Sequence, residues 1–165
     1  MKIGIIGPNI IAKEIDIRKG LLNEVAEIIA KSNHELVLTP DKGSLLEHFG
    51  YKYKEFEGKK IWIVAPAEEV KYMEHLNTEL GEIIVCKDWD NQADEFNRQS
   101  DIFVCVGYAW GAMKEIACAQ YFNKKKIYIL NKFTSEKLPE ELNFLVEYIS
   151  FEDLVIILSS SDNRL

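Results

Sequence analysis

The residues best equipped for chemistry lie in one run, Gly107-Tyr108-Ala109-Trp110-Gly111-Ala112-Met113-Lys114-Glu115. Its glycines let the backbone turn sharply and approach a ligand closely. A helix opening near Trp110 would turn its positive end toward an anionic group. Tyr108 and Trp110 could stack on a planar base. Glu115 could hold a ribose hydroxyl, or act as acid, base or nucleophile at a sugar carbon. The same residues admit a plainer reading, with Trp110 in the core and Glu115 a solvated helix acid favoured by the dipole.

Three more loops hold unusual residues. Gly7-Pro8-Asn9 follows Gly4-Ile5-Ile6 and reads as a strand running into a tight turn that could meet a ligand. Thr39-Pro40-Asp41-Lys42-Gly43-Ser44 precedes a helix starting near Leu45. Gly43 and Ser44 there could cradle an anion with backbone N–H groups and a hydroxyl, Lys42 adding charge and Asp41 opposing it. The alternative is an ordinary turn with Ser44 as the helix N-cap. Pro66 closes the third. His34, His48 and His75 stand in separate segments without metal-ligand spacing, and Trp62 and Trp89 read as packing residues.

These loops need a scaffold, and the intervening sequence supplies one. Apolar runs recur at Lys2–Ile6, Glu35–Leu38, Lys60–Ala65, Glu82–Cys86, Asp101–Val106 and Lys126–Leu130. They scarcely alternate, as strands covered on both faces require. Helix-length segments separate them. In Asp16–Lys31, Ile17, Leu21, Leu22, Val25, Ile28 and Ile29 share one stripe. Ser44–Phe56, Ala67–Leu80, Asn91–Gln99, Trp110–Phe122 and Glu140–Glu147 are further helix expectations. Tyr148–Ser150 reads as a short edge strand. Ser150 and Asp153 have the spacing of a capping box opening a helix through Leu158, although Val155–Leu158 could equally be a strand. Alternation of strand and helix predicts a doubly wound α/β fold, with a mainly parallel sheet of six or seven strands in three layers. In such sheets ligands bind at the carboxyl ends of the strands, where strand order reverses. Residues 1–158 are expected to form one domain, and 159–165 a polar tail.

Composition narrows the class. The chain has 165 residues and a net charge of −7, which gives no global pull toward nucleic acid or an anionic membrane. Cys86, Cys105 and Cys118 form no CxxC pair and read as reduced thiols, so neither disulfides nor a zinc site is expected. The apolar stretch before Pro8 is too short for a signal peptide, and no run suits a membrane span. A cytoplasmic protein is expected.

At these same loops the chain resembles the Rossmann-fold superfamily of the Lonely Guy (LOG), or lysine-decarboxylase-like, proteins, above all its short molybdenum-cofactor-carrier-like members. The family's opening Gly-Ser-type loop corresponds to Ile3-Gly-Ile-Ile-Gly-Pro-Asn9. Its T-G-G-x-G-G-x-M-E motif corresponds to Thr39-Pro-Asp-Lys-Gly-Ser-Leu-Leu-Glu47. Its R-S-A-D and G-G-G-x-G-T-x-x-E motifs correspond to Arg98-Gln-Ser-Asp101 and Gly107–Glu115. Pro40-Asp41 and Tyr108-Ala109 replace glycine pairs, Ala112 replaces threonine, and the arginine that the family's hydrolases carry falls near Gln92. The last loop alone is also similar to that of nucleoside deoxyribosyltransferases.

The resemblance implies binding of a nucleotide or a molybdopterin-like cofactor through Gly7, Pro8, Asn9, Lys42, Gly43, Ser44, Gly107, Tyr108, Trp110, Gly111 and Ala112, without the full hydrolase motif. If catalysis survives, it implies N-glycosidic chemistry at Glu115. It further implies a homodimer. The apolar residues of Trp110–Phe122, and Leu142, Phe144, Leu145 and Val146 of Glu140–Glu147, are the expected contacts, the first helix lying near the centre.

Overall fold

The computed structural model describes residues 1–8, 15–119, 125–134, 136–143 and 145–161. Seven strands form one sheet: β1 (Lys2–Ile6), β2 (Glu35–Leu38), β3 (Ile61–Pro66), β4 (Glu82–Cys86), β5 (Ile102–Cys105), β6 (Ile127–Leu130) and β7 (Val146–Ile149). Their order is β4-β3-β2-β1-β5-β6-β7, and every neighbouring pair is parallel. The chain winds outward from β1 to β4, then returns to the centre at β5. Strand order therefore reverses between β1 and β5, opening a crevice past their carboxyl ends.

Among the described residues six α-helices accompany the sheet: α1 (Ile15–Lys31), α2 (Leu45–Glu55), α3 (Ala67–Tyr72), α4 (Trp89–Gln99), α5 (Trp110–Ala119) and α6 (Phe151–Ser161). One apolar layer joins Leu22, Val25 and Ile29 of α1, Leu46 and Phe49 of α2, and Leu154 and Leu158 of α6 to Ile3, Ile5, Leu36 and Leu38. The other joins Phe96 of α4 and Ile116 of α5 to Ile6, Val37, Phe103 and Ile129. Successive strand residues feed opposite layers, which is why these strands are apolar almost throughout.

Local chemistry sets several helix ends. Asp88 caps α4 by accepting the Asn91 N–H at 3.0 Å. Lys125 closes the other end of α4, its ammonium donating to the carbonyls of Asn97 at 2.8 Å, Arg98 at 3.2 Å and Ser100. A cation at a helix carboxyl end satisfies orphan acceptors and complements the dipole. The expected box at α6 forms, with the Asp153 N–H donating to Ser150 Oγ at 3.1 Å and the Ser150 N–H to Asp153 Oδ2 at 3.0 Å. Val155–Leu158 is accordingly helix.

Two expectations are corrected. The helix foreseen over Ala67–Leu80 stops after Tyr72, and only Thr78–Leu80 winds again, as a 3-10 turn. Met73 turns left-handed (φ 53°), and the buried Glu69 carboxylate accepts the N–H groups of His75 and Leu76, both at 2.9 Å. Those bonds pull the chain back on itself. The helix foreseen over Glu140–Glu147 is a 3-10 turn at Glu140–Leu142 followed by β7, paired from Ile127↔Val146 to Leu130↔Ile149. A free edge on β6 offers ladder bonds, and β-branched Val146 and Ile149 fit them better than a helix. Phe144, the residues of Trp110–Phe122 beyond Ala119, and 162–165 of the expected tail lie outside the described residues or are in part so.

Candidate functional site

The crevice between β1 and β5 opens into a pocket of about 410 Å³, lined by Gly7, Pro8, Arg18, Thr39, Tyr108, Ala109, Trp110, Gly111, Ala112 and Glu115. The turns after the two central strands touch. Gly107 sits at φ +139°, and a Cβ built there would stand 3.1 Å from the Pro8 ring. A side chain at 107 would therefore face both an unfavourable backbone conformation and a neighbour.

Helix α5 rises from this floor. The amides of Trp110, Gly111 and Ala112 precede the first intrahelical bond, from the Met113 N–H to the Ala109 carbonyl at 2.9 Å. Among the described residues no side chain caps them. They are the positive end of the helix and border the pocket. Trp110 is 93% exposed at the rim, so it is not a core residue.

Glu115, one turn further along α5, is only 8% exposed although it lines the pocket. Its carboxyl makes no hydrogen bond among the described residues. Burial, and then the nearby Asp41 carboxylate, push its pKa up to about 8. It is therefore mostly a neutral acid at pH 7, able to donate a hydrogen bond as well as accept one. The solvated-acid reading of this residue does not hold. Asn97 braces the position from behind, its buried amide donating to the carbonyls of Ala93 at 2.9 Å and Glu115 at 3.2 Å. Tyr108 meets the Tyr148 hydroxyl of β7 at 3.3 Å, and that hydroxyl accepts the Leu138 N–H at 2.6 Å. Burial and then this contact raise the Tyr108 pKa. Cys105 beneath the loop is buried, which pushes its thiol up to about 12 and keeps it inert.

The other expected residues are not in this pocket. Lys42 donates from Nζ to the Met73 carbonyl at 2.5 Å, away from the crevice. Gly43, at φ 75°, donates its N–H to Glu47 Oε2 at 2.6 Å, and Ser44 Oγ accepts the Glu47 N–H at 3.1 Å. This is close to a capping box, with Glu47 reaching back to the residue before the Ser44 cap, so the amino end of α2 already carries a carboxylate. Gly43 and Ser44 border a separate cleft of about 210 Å³ with Lys19 and His48. Asn9 lies outside the described residues. No group of His, Cys, Asp and Glu suited to a metal exists among the described residues, and all three cysteines are free thiols. No described helix is long and apolar enough to cross a membrane.

Arg18 was missing from the expected set. It sits in the first turn of α1, where a cation opposes the helix dipole. That misplaced charge is the sequence signal that could have exposed it.

Residues 1–155 match the SLOG cluster4 family. The chain belongs to that family. Its SLOG fold is shared with the molybdenum cofactor binding protein from Rippkaea orientalis, at TM-score 0.77 and 20% identity over 98% of this chain and 96% of that one. The molybdenum cofactor carrier protein from Chlamydomonas reinhardtii gives TM-score 0.69 and 20% identity, over 99% and 98%. TM1055 gives 0.75 and 18%, over 96% and 98%. At this identity the likeness establishes the fold, and it agrees with the carrier-like resemblance of the loop motifs. A comparison with curated proteins finds no match.

Proposed function

We propose that this SLOG protein binds a nucleotide or a nucleotide-like cofactor of the molybdopterin kind in the pocket between β1 and β5, and acts as a binding protein. One observation carries the reading: the buried Glu115 carboxyl, with no hydrogen-bond partner among the described residues, shares a crevice with the amino end of α5, which no described side chain caps, beside the exposed Trp110. Protein interiors rarely leave such a group unpaired unless something else meets it. The donors suit phosphate and ring acceptors, and Trp110 can cover a heterocycle. One of the solved structures is named a molybdenum cofactor binding protein and another a molybdenum cofactor carrier protein, which supports the ligand class. Against a hydrolase stand Pro40-Asp41 in place of a glycine pair and the self-capped Gly43-Ser44 turn.

Thermal shift with nucleoside monophosphates, cyclic nucleotides, NAD-type dinucleotides and molybdopterin tests this. A ligand at a hundred times its Kd should add about 2.7 kcal/mol of stability. A flat response to every compound defeats the proposal.

The second reading is an N-glycosidic enzyme, a nucleoside 5′-monophosphate hydrolase or a deoxyribosyltransferase-like enzyme, favoured by the neutral acid at Glu115. Glu115→Gln separates the two. A binder loses under about 1 kcal/mol, since Gln keeps a donor, whereas an enzyme loses turnover by orders of magnitude.

The proposal extends to a cytoplasmic homodimer with α5 near its centre, its support being the exposed Trp110. Ile116 and Ala112 of α5 are taken up by the core. A clean 19.0 kDa species in sedimentation at micromolar concentration would reject the dimer.

A further inference from the structure

Arg18 is half-buried against the pocket, yet among the described residues it has no hydrogen bond or ion pair. Its helix gives it no local reason to be there, because a cation in the first turn is disfavoured. A guanidinium drawn partly out of water without a partner costs free energy. Other cations near the carboxyl edge are engaged: Lys42 with the Met73 carbonyl, Lys114 with the Asp90 carbonyl at 3.1 Å, and Lys132 over the Phe151 ring at 4.3 Å. Arg18 is the described cation that lines the Glu115 pocket.

The remaining polar groups have one property in common. The Thr39 hydroxyl, the open amides at the start of α5 and the neutral Glu115 carboxyl can all donate. Asp41 is the acid facing Glu115, and its own pKa is raised, mainly by burial. A pocket built of donors fits a group that only accepts. Guanidinium matches a tetrahedral oxyanion with two parallel N–H···O bonds, which a lysine could not supply.

We propose that Arg18 recognises the ligand's anionic group, and that the pocket takes a phosphate monoester held between the Arg18 guanidinium, the Thr39 hydroxyl and the amino end of α5. The inference rests on the nucleotide-like reading and deepens it. A phosphate monoester is what nucleoside monophosphates and molybdopterin have in common. The recognition residue is supplied by the first helix, away from the glycine-bounded loops.

Titration calorimetry on the full chain and on its Arg18→Gln and Arg18→Lys variants tests this, with guanosine and adenosine monophosphates, their nucleosides and inorganic phosphate as probes. Thermal melts establish that each variant is folded. Wild type should prefer a monophosphate to its nucleoside by at least about tenfold, the scale of a charged hydrogen bond. Arg18→Gln should erase that preference while nucleoside affinity stays within about twofold, and Arg18→Lys should restore part of it. An undiminished preference in Arg18→Gln overturns the inference. Equal wild-type affinity for monophosphate and nucleoside also overturns it, and leaves the proposed function standing. Phosphate binding that depends on Arg18, with no nucleotide or nucleoside bound, upholds the inference and defeats the nucleotide reading. No binding of any probe defeats both.

Discussion

Replacing Glu115 with Gln should make the protein's stability less sensitive to pH, and the direction follows from burial. The folded carboxyl has a pKa of about 8 against an ordinary value of 4.5. Below pH 4.5 both states hold the proton and the residue is neutral to folding. As pH rises above 4.5 the unfolded chain releases its proton while the folded chain keeps it. Each pH unit in this window then costs the folded state about 1.4 kcal/mol, until the folded carboxyl ionises near pH 8. Between pH 5 and pH 8 the loss comes to roughly 3 to 4 kcal/mol, a large share of the 5–15 kcal/mol typical of a domain. Gln has the same shape and no proton to lose. Urea denaturation of both proteins at pH 5, 6, 7 and 8 isolates the effect, because Asp41 and the remaining groups are common to both. The proteins should lie within about 1 kcal/mol of each other at pH 5, with the variant pulling ahead steadily to pH 8. A gap that stays constant, or narrows with rising pH, would refute the buried neutral acid.

Trp110→Ala should leave the melting temperature almost unchanged, since the ring is 93% exposed, yet weaken nucleotide binding in calorimetry by about 1–3 kcal/mol; a destabilised protein with normal affinity contradicts this. Gly107→Ala should lower stability by about 1 kcal/mol or more in urea, because of φ +139° and the Pro8 contact, and an unchanged midpoint would count against the tight floor. Lys125→Met should cost about 1–2 kcal/mol by uncapping the carboxyl end of α4, and an unaltered melt would show those three carbonyls content with water.

The central strands were legible because burial on both faces leaves no alternation, and Ile3, Ile5 and Ile6 show it directly. The box at Ser150 and Asp153 was legible because capping is local chemistry. Strand β7 was legible only in part: an edge strand was expected at Tyr148–Ser150, but it starts at Val146, inside the expected helix, because its pairing partner lies in β6. The end of α3 was hidden for a similar reason: Glu69 stops it by bonding N–H groups six and seven residues on. At the site, the sequence singled out Glu115 and Trp110 but left each with two environments, and tertiary burial decided between them. Arg18 escaped notice because helix α1 reads as scaffold, and only the winding of the sheet brings its first turn beside β5. Lys42, Gly43 and Ser44 looked like an anion cradle until Glu47 proved to occupy it.

That carboxylate gives the edge of the sheet an electrical asymmetry. Helices α2 and α5 both start at the carboxyl edge of the sheet, and the amino end of each would be positive if bare. Glu47, 2.6 Å from the Gly43 nitrogen, cancels the first at its source, while the second stays unshielded. An anion arriving at the edge therefore meets an open helix end at α5 and a filled one at α2.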